Sequence, residues 1–97
     1  MKNIIVRAIE EKRLISLTYD SLDRIVEPHA CGVSTKGDQT LRCFQIKGSH
    51  ASKKHHDWML LKFSKISNLE VMEEKFDSPR TGYKKGDKAF EIIYKEL

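Results

Sequence analysis

The side chains of this sequence that could do chemistry are cations and flat rings. Arg24 and His29 stand around a proline in "DRIVEPHAC", Arg42 lies inside "TLRCFQIKG", and Lys62 and Lys65 follow one another in "WMLLKFSK". A guanidinium grips a phosphate through parallel hydrogen bonds. Rings such as those of Tyr19 and Trp58 can stack on nucleobases, for about 1–3 kcal/mol per base. Each of these residues also has a plainer use. Arg24 can pair with Asp23 or Glu27, Arg42 with Glu27, and His29 can hold a strand irregularity in place. Gln45 shares the neighbourhood of Arg42 but not its side of a strand. Lysines are usually solvated, and Tyr19 and Trp58 can simply fill a core. "RTGYKK", residues 80–85, adds Arg80 to a basic loop with one aromatic. Such a loop suits phosphate contact or an oligomer interface, a homodimer included.

Catalysis finds little support. No paired carboxylates sit in apolar surroundings, no glycine-rich loop opens a helix, and no Ser or Cys has a convincing His and Asp partner. An enzyme is not expected, nor a cofactor. "KKHHD", residues 53–57, offers adjacent histidines. In extended chain these point to opposite faces, so a solvated loop is expected there rather than a metal site. Cys31 and Cys43 have neither zinc-ligand spacing nor a disulfide framework. They read as buried thiols in a reducing, cytoplasmic compartment. No apolar run approaches membrane length, and the first residues do not form a signal peptide.

These groups must be positioned by a small fold. The 97 residues make one domain, 1–97, with 39% hydrophobic and 33% charged residues, which implies a thin core under a large polar surface. A net charge of +4 fits an anionic partner, and equally an ordinary soluble surface. Ile4, Ile5, Ala8 and Ile9 form one stripe of an N-terminal helix. "LISLTY" alternates as a strand, and "RIVEPHACGVS" is a second, bent at Pro28 and Gly32. "TLRCFQIKG", "WMLLKF" and a segment around Leu69–Met72 supply three more. Residues 48–57 read as a mobile loop. Asp87 reads as the cap of a short C-terminal helix, because Phe90, Ile93, Tyr94 and Leu97 fall at helical spacing, with a strand over residues 88–97 as the alternative. The expected class is mainly β (α+β): a curved five-stranded antiparallel sheet closing into a small barrel, with a helix at each end. Ile5, Ala8, Ile9, Leu17, Val26, Leu61, Phe63 and Ile66 are its expected core.

Four stretches resemble the WYL domain family. They are "VRAIEEKRLISLTY", the Arg-x-x-x-Pro strand "RIVEPHACG", "TLRCFQIKG" in place of the strand that names the family, and "WMLLKFSKISNLEVMEEKF". Together they span residues 6–76. The Trp-Tyr-Leu motif itself is absent, and no helix-turn-helix precedes the region, so the transcription-regulator role of many relatives is not carried over. The resemblance implies an Sm/SH3-like barrel in a short bacterial or phage protein. It implies a regulatory module that senses a ligand, with single-stranded nucleic acid or a nucleotide held by basic and aromatic residues. Arg24, Arg42 and Lys65 stand on different strands or strand ends and form a site for that ligand if the fold brings them together; Tyr19, His29, Gln45, Lys62 and Arg80 are the further candidate contacts. The alternative is a protein–protein interaction module, for instance in phage–host conflict.

Overall fold

The apolar stripe near the start becomes the buried side of a helix, α1 (Lys2–Glu11), with Ile5, Ala8 and Ile9 turned inward. Lys12 ends it in the left-handed region at φ 52°, its amide reaching back to the carbonyls of Ala8 and Ile9. The computed structural model describes residues 1–48 and 57–97. Alternating segments follow as β1 (Arg13–Tyr19), β2 (Leu22–Ser34), β3 (Gln39–Gly48), β4 (Asp57–Lys62), β5 (Ile66–Lys75) and β6 (Phe90–Glu96). A single 3-10 turn, Phe63–Lys65, links β4 to β5.

The strand order is β4-β3-β2-β1-β5, and every pairing is antiparallel. β2 is the spine. Its first half pairs with β1 from Leu22 to Val26, and its second half pairs with β6 from Ala30 to Ser34, while β3 runs along its other edge. β6 comes so close that a side chain on Gly32 could not fit: a Cβ there would lie 1.9 Å from the Ile92 carbonyl oxygen. Asp20 and Ser21 make the tight β1–β2 turn, both at positive φ, which matches the twist of the flanking strands.

One face of the sheet carries the core. Ile15, Leu17 and Tyr19 of β1 meet Val26 and Cys31 of β2, Leu41 and Cys43 of β3, Leu61, Phe63 and Ile66, all under α1. All eight expected core residues are in this cluster. Burial lifts the free thiols of Cys31 and Cys43 to about 11 and about 12, which leaves them protonated and unreactive.

Three expectations are corrected. The sheet has six strands rather than five. It is not closed into a barrel, because no pairing joins β4 to β5 among the described residues. The C-terminal helix is instead the strand β6. Ile92, Ile93 and Tyr94 favour extended chain, and the stretch of β2 beyond β1 offers hydrogen bonds that a helix would leave unmade. Asp87 caps only a short turn, accepting from the Ala89 amide. The loop expected over 48–57 lies outside the described residues apart from its ends, Gly48 and Asp57, which belong to β3 and β4.

Candidate functional site

The second face of the sheet owes its character to an irregularity in β2. Pro28 pairs with Cys43 and Ala30 with Arg42, so His29 is an extra residue between them. Proline has no amide to give the ladder, and a bulge is where a strand tolerates it. The bulge sets the His29 ring among aromatics away from the main core. Trp58 meets it edge-on at 4.8 Å, Phe76 stacks at 5.5 Å, and Tyr83 lies at 5.1 Å.

Residues 76–89 form a strap that crosses this face and is tied down at several points. The Arg80 amide donates to His29 Nε2 at 3.0 Å. An amide can only donate, so Nε2 is the acceptor, and the ring proton sits on Nδ1, donating to the Glu27 carbonyl at 2.9 Å. The Arg80 guanidinium grips the buried Glu27 carboxylate through Nε and Nη2 at 3.1 and 2.8 Å, and lies over the Phe44 ring. The Tyr83 hydroxyl donates to the Leu97 carbonyl, and burial, with repulsion from Glu96, raises its pKa. Farther along, Asp87 accepts from Arg42 Nε at 2.7 Å. Burial works against the Asp87 charge, but hydrogen bonds from Arg42 and the Ala89 amide, with the charge of Arg42, outweigh it and hold the carboxyl below its ordinary value.

Between strap and sheet lies an open cleft of about 510 Å³, lined by Arg42, Trp58 and residues 82–88. Among the described residues, four cations border it, Arg42, Lys84, Lys85 and Lys88, against one carboxylate, Asp87. The rings of Trp58 and Tyr83 lie 28° from parallel with centroids 6.4 Å apart. Arg42 engages Asp87 through Nε alone, and its two terminal nitrogens make no hydrogen bond to a described residue. Positive charge focused between low-dielectric walls attracts anions, and the rings offer apolar faces to a flat group.

The fold does not bring Arg24, Arg42 and Lys65 together. Arg24 lies on the core face, only 2% exposed, donating to the Tyr19 carbonyl at 3.1 Å and to Gln45 Oε1 at 3.5 Å, with the Tyr19 ring beside it. Arg42 emerges on the opposite face, because it alternates with Leu41 and Cys43 of the core. It pairs with Asp87, not Glu27, whose partner is Arg80. Tyr19 and Gln45 are buried with Arg24, and Lys65 is exposed on its turn. Lys62 is exposed and pairs with Asp38 at 3.5 Å. Of the eight expected site residues, Arg42 lines the cleft, while His29 and Arg80 anchor its strap. Tyr83, Lys84 and Lys85 belong to the "RTGYKK" loop already read as suited to phosphate contact, whereas Asp87 and Lys88, which extend that basic, glycine-punctuated run, were missed as cleft residues.

Among the described residues no cluster of three or more His, Cys, Asp or Glu could hold a metal, and no helix is long and apolar enough to cross a membrane. The "KKHHD" histidines lie outside the described residues. The chain matches no family model, and neither the curated proteins nor the solved structures contain a significant match to it.

His29 makes the strap sensitive to acid. Burial lowers its pKa from 6.5, with the Arg80 charge adding to the drop and the Glu27 carbonyl and carboxylate opposing it. The unfolded chain therefore binds a proton near pH 6.5 that the folded chain refuses, and stability is lost as pH falls from about 6.5 toward the lower folded value. Urea unfolding between pH 7.5 and 5.5 is expected to show this decline. His29→Gln should flatten it, and an unchanged slope in that variant would assign the acid sensitivity elsewhere.

Proposed function

We propose that this protein is a non-enzymatic, regulatory binding module whose strap-and-sheet cleft takes an anionic ligand bearing a flat ring, either single-stranded nucleic acid or a nucleotide. The observation that carries this reading is the coincidence of four cations and two aromatic rings around one open cleft. The WYL-like sequence pieces support it, and an Sm/SH3-like kinship belongs to the same proposal. That kinship is supported by the β1–β4 meander and by the return of β5 beside β1. The two buried free thiols suit a reducing compartment such as the cytoplasm.

Binding of a fluorescent oligothymidylate tests the reading. With about three phosphates neutralised, affinity should fall roughly twentyfold between 50 and 200 mM salt, as counterions return to the strand. Arg42→Ala should remove most of the binding. Asp87→Asn should tighten it several-fold, because it keeps a capping side chain while deleting the one carboxylate among the described lining residues. No oligonucleotide or nucleotide binding, or weaker binding in Asp87→Asn, would count against the proposal and favour a protein-interaction module, whose apolar contacts should resist salt.

A further inference from the structure

The charges in the cleft say more than that it prefers anions. Arg42 rises from the sheet floor with Nε already committed to a carboxylate, so its two remaining nitrogens, which make no hydrogen bond to a described residue, are the prongs left for a ligand. Lys84, Lys85 and Lys88 come from the strap opposite. A ligand phosphate must therefore share Arg42 with Asp87 in a cleft that three lysines also line. A phosphodiester brings one negative charge and two free oxygens. A phosphate monoester brings about 1.5–2 negative charges at neutral pH and three acceptor oxygens, enough to span both Arg42 nitrogens and a lysine. The cleft volume of about 510 Å³ also suits one small molecule rather than a length of strand.

Resting on the nucleotide-binding reading above, we infer that the cleft selects a terminal phosphate monoester: a free mononucleotide, or the phosphorylated end of a strand, with its base against Trp58 and Tyr83. Asp87 is the residue that sets this choice. Its charge opposes a singly charged diester that cannot outbid it for Arg42, whereas a dianion can.

Trp58 is the only tryptophan in the chain and stands in the cleft wall, so its fluorescence reports occupancy directly. Adenosine, adenosine 5′-monophosphate and 3′,5′-cyclic adenosine monophosphate share one base and differ at phosphorus. The monophosphate should bind about ten- to a hundredfold more tightly than the other two, the difference made by one or two charge-assisted hydrogen bonds. A 5′-phosphorylated oligothymidylate should likewise beat its 5′-hydroxyl counterpart. Lys84→Ala/Lys85→Ala, confined to exposed side chains, should erase most of the monophosphate advantage without changing the melting temperature. Asp87→Asn should narrow the gap between monoester and diester by strengthening the diester. Equal binding of both oligonucleotides, with steep salt dependence, would overturn the terminal-phosphate inference and leave strand binding standing. Silence of Trp58 toward every nucleotide and oligonucleotide would overturn both.

Discussion

Arg24→Ala is expected to destabilise the fold by about 3 kcal/mol while leaving ligand binding to the refolded protein unchanged. Arg24 is a buried cation that no carboxylate contacts among the described residues. Its guanidinium rests on the Tyr19 carbonyl, the long contact to Gln45 Oε1 and the face of the Tyr19 ring. Among the described residues, neither Arg24 Nε nor Gln45 Nε2, both buried donors, has an acceptor. Truncation to alanine opens a void and strands the Tyr19 carbonyl and the Gln45 amide, and each loss costs on the order of 1–3 kcal/mol. Arg24→Met fills the void, and Gln45→Leu removes the orphaned amide. The double variant should therefore be more stable than the sum of its single changes predicts, by about 1 kcal/mol or more in a double-mutant cycle. Urea denaturation of the four proteins measures this. An Arg24→Ala protein as stable as the wild type would mean that the arginine is solvated, and additive effects in the cycle would mean that the two side chains do not share a site.

Gly32→Ala should be costlier still. A Cβ at Gly32 would press into backbone, meeting the Ile92 carbonyl oxygen at 1.9 Å and the Ile93 Cα at 2.9 Å. Backbone cannot swing aside as the end of a flexible side chain can. Relief requires β6 to move off β2, giving up ladder hydrogen bonds and the packing of Phe90 and Tyr94. We expect a loss of about 3–5 kcal/mol, out of the 5–15 kcal/mol typical of a whole domain. Amides of β6 should exchange rapidly while those of β1 and β3 remain protected. Gly37→Ala is the matched control. It lies at φ 89° with nothing within 4 Å, so it carries only backbone strain, about 1 kcal/mol. A Gly32→Ala protein that melts like the control would place β6 farther from β2 than described.

The contrast between these two positions shows what the sequence could convey. The core face was legible because period is a local property. Ile5, Ala8 and Ile9 repeat as a helix repeats, and Ile15, Leu17 and Tyr19 alternate as a strand does, with no need to know their partners. In "DRIVEPHAC" neither parity is cleanly apolar, and the fold uses both: Arg24 and Val26 face the main core, while Glu27 and His29 serve the smaller cluster under the strap. Which arginine lay on which face was not legible. It depends on a bulge that a proline permits but does not locate. Phe90, Ile93, Tyr94 and Leu97 satisfied a helical period by coincidence, and the decisive fact was the unoccupied half of a strand far away in the sequence. Asp87 showed the same limit. Its cap to Ala89 is local and could be read from the sequence, whereas its ion pair with Arg42 depends on how the strap crosses the sheet.

The division of one β2 edge between β1 and β6 also bears on how the chain assembles. β1 to β4 form a meander of neighbours in sequence, and such local contacts need little loop-closure entropy and tend to form early. β6 must return from the far side of the strap to reach Ala30–Ser34. Until it does, that stretch presents unpaired amides and carbonyls to any passing strand, with Cys31 close beneath. A chain emerging during synthesis would thus pass through an interval in which the Cys31 thiol is guarded by an unfinished edge. Misassociation, if it occurs, should begin there, and slowing the arrival of residues 90–96 should increase aggregation more than it reduces the stability of protein already folded.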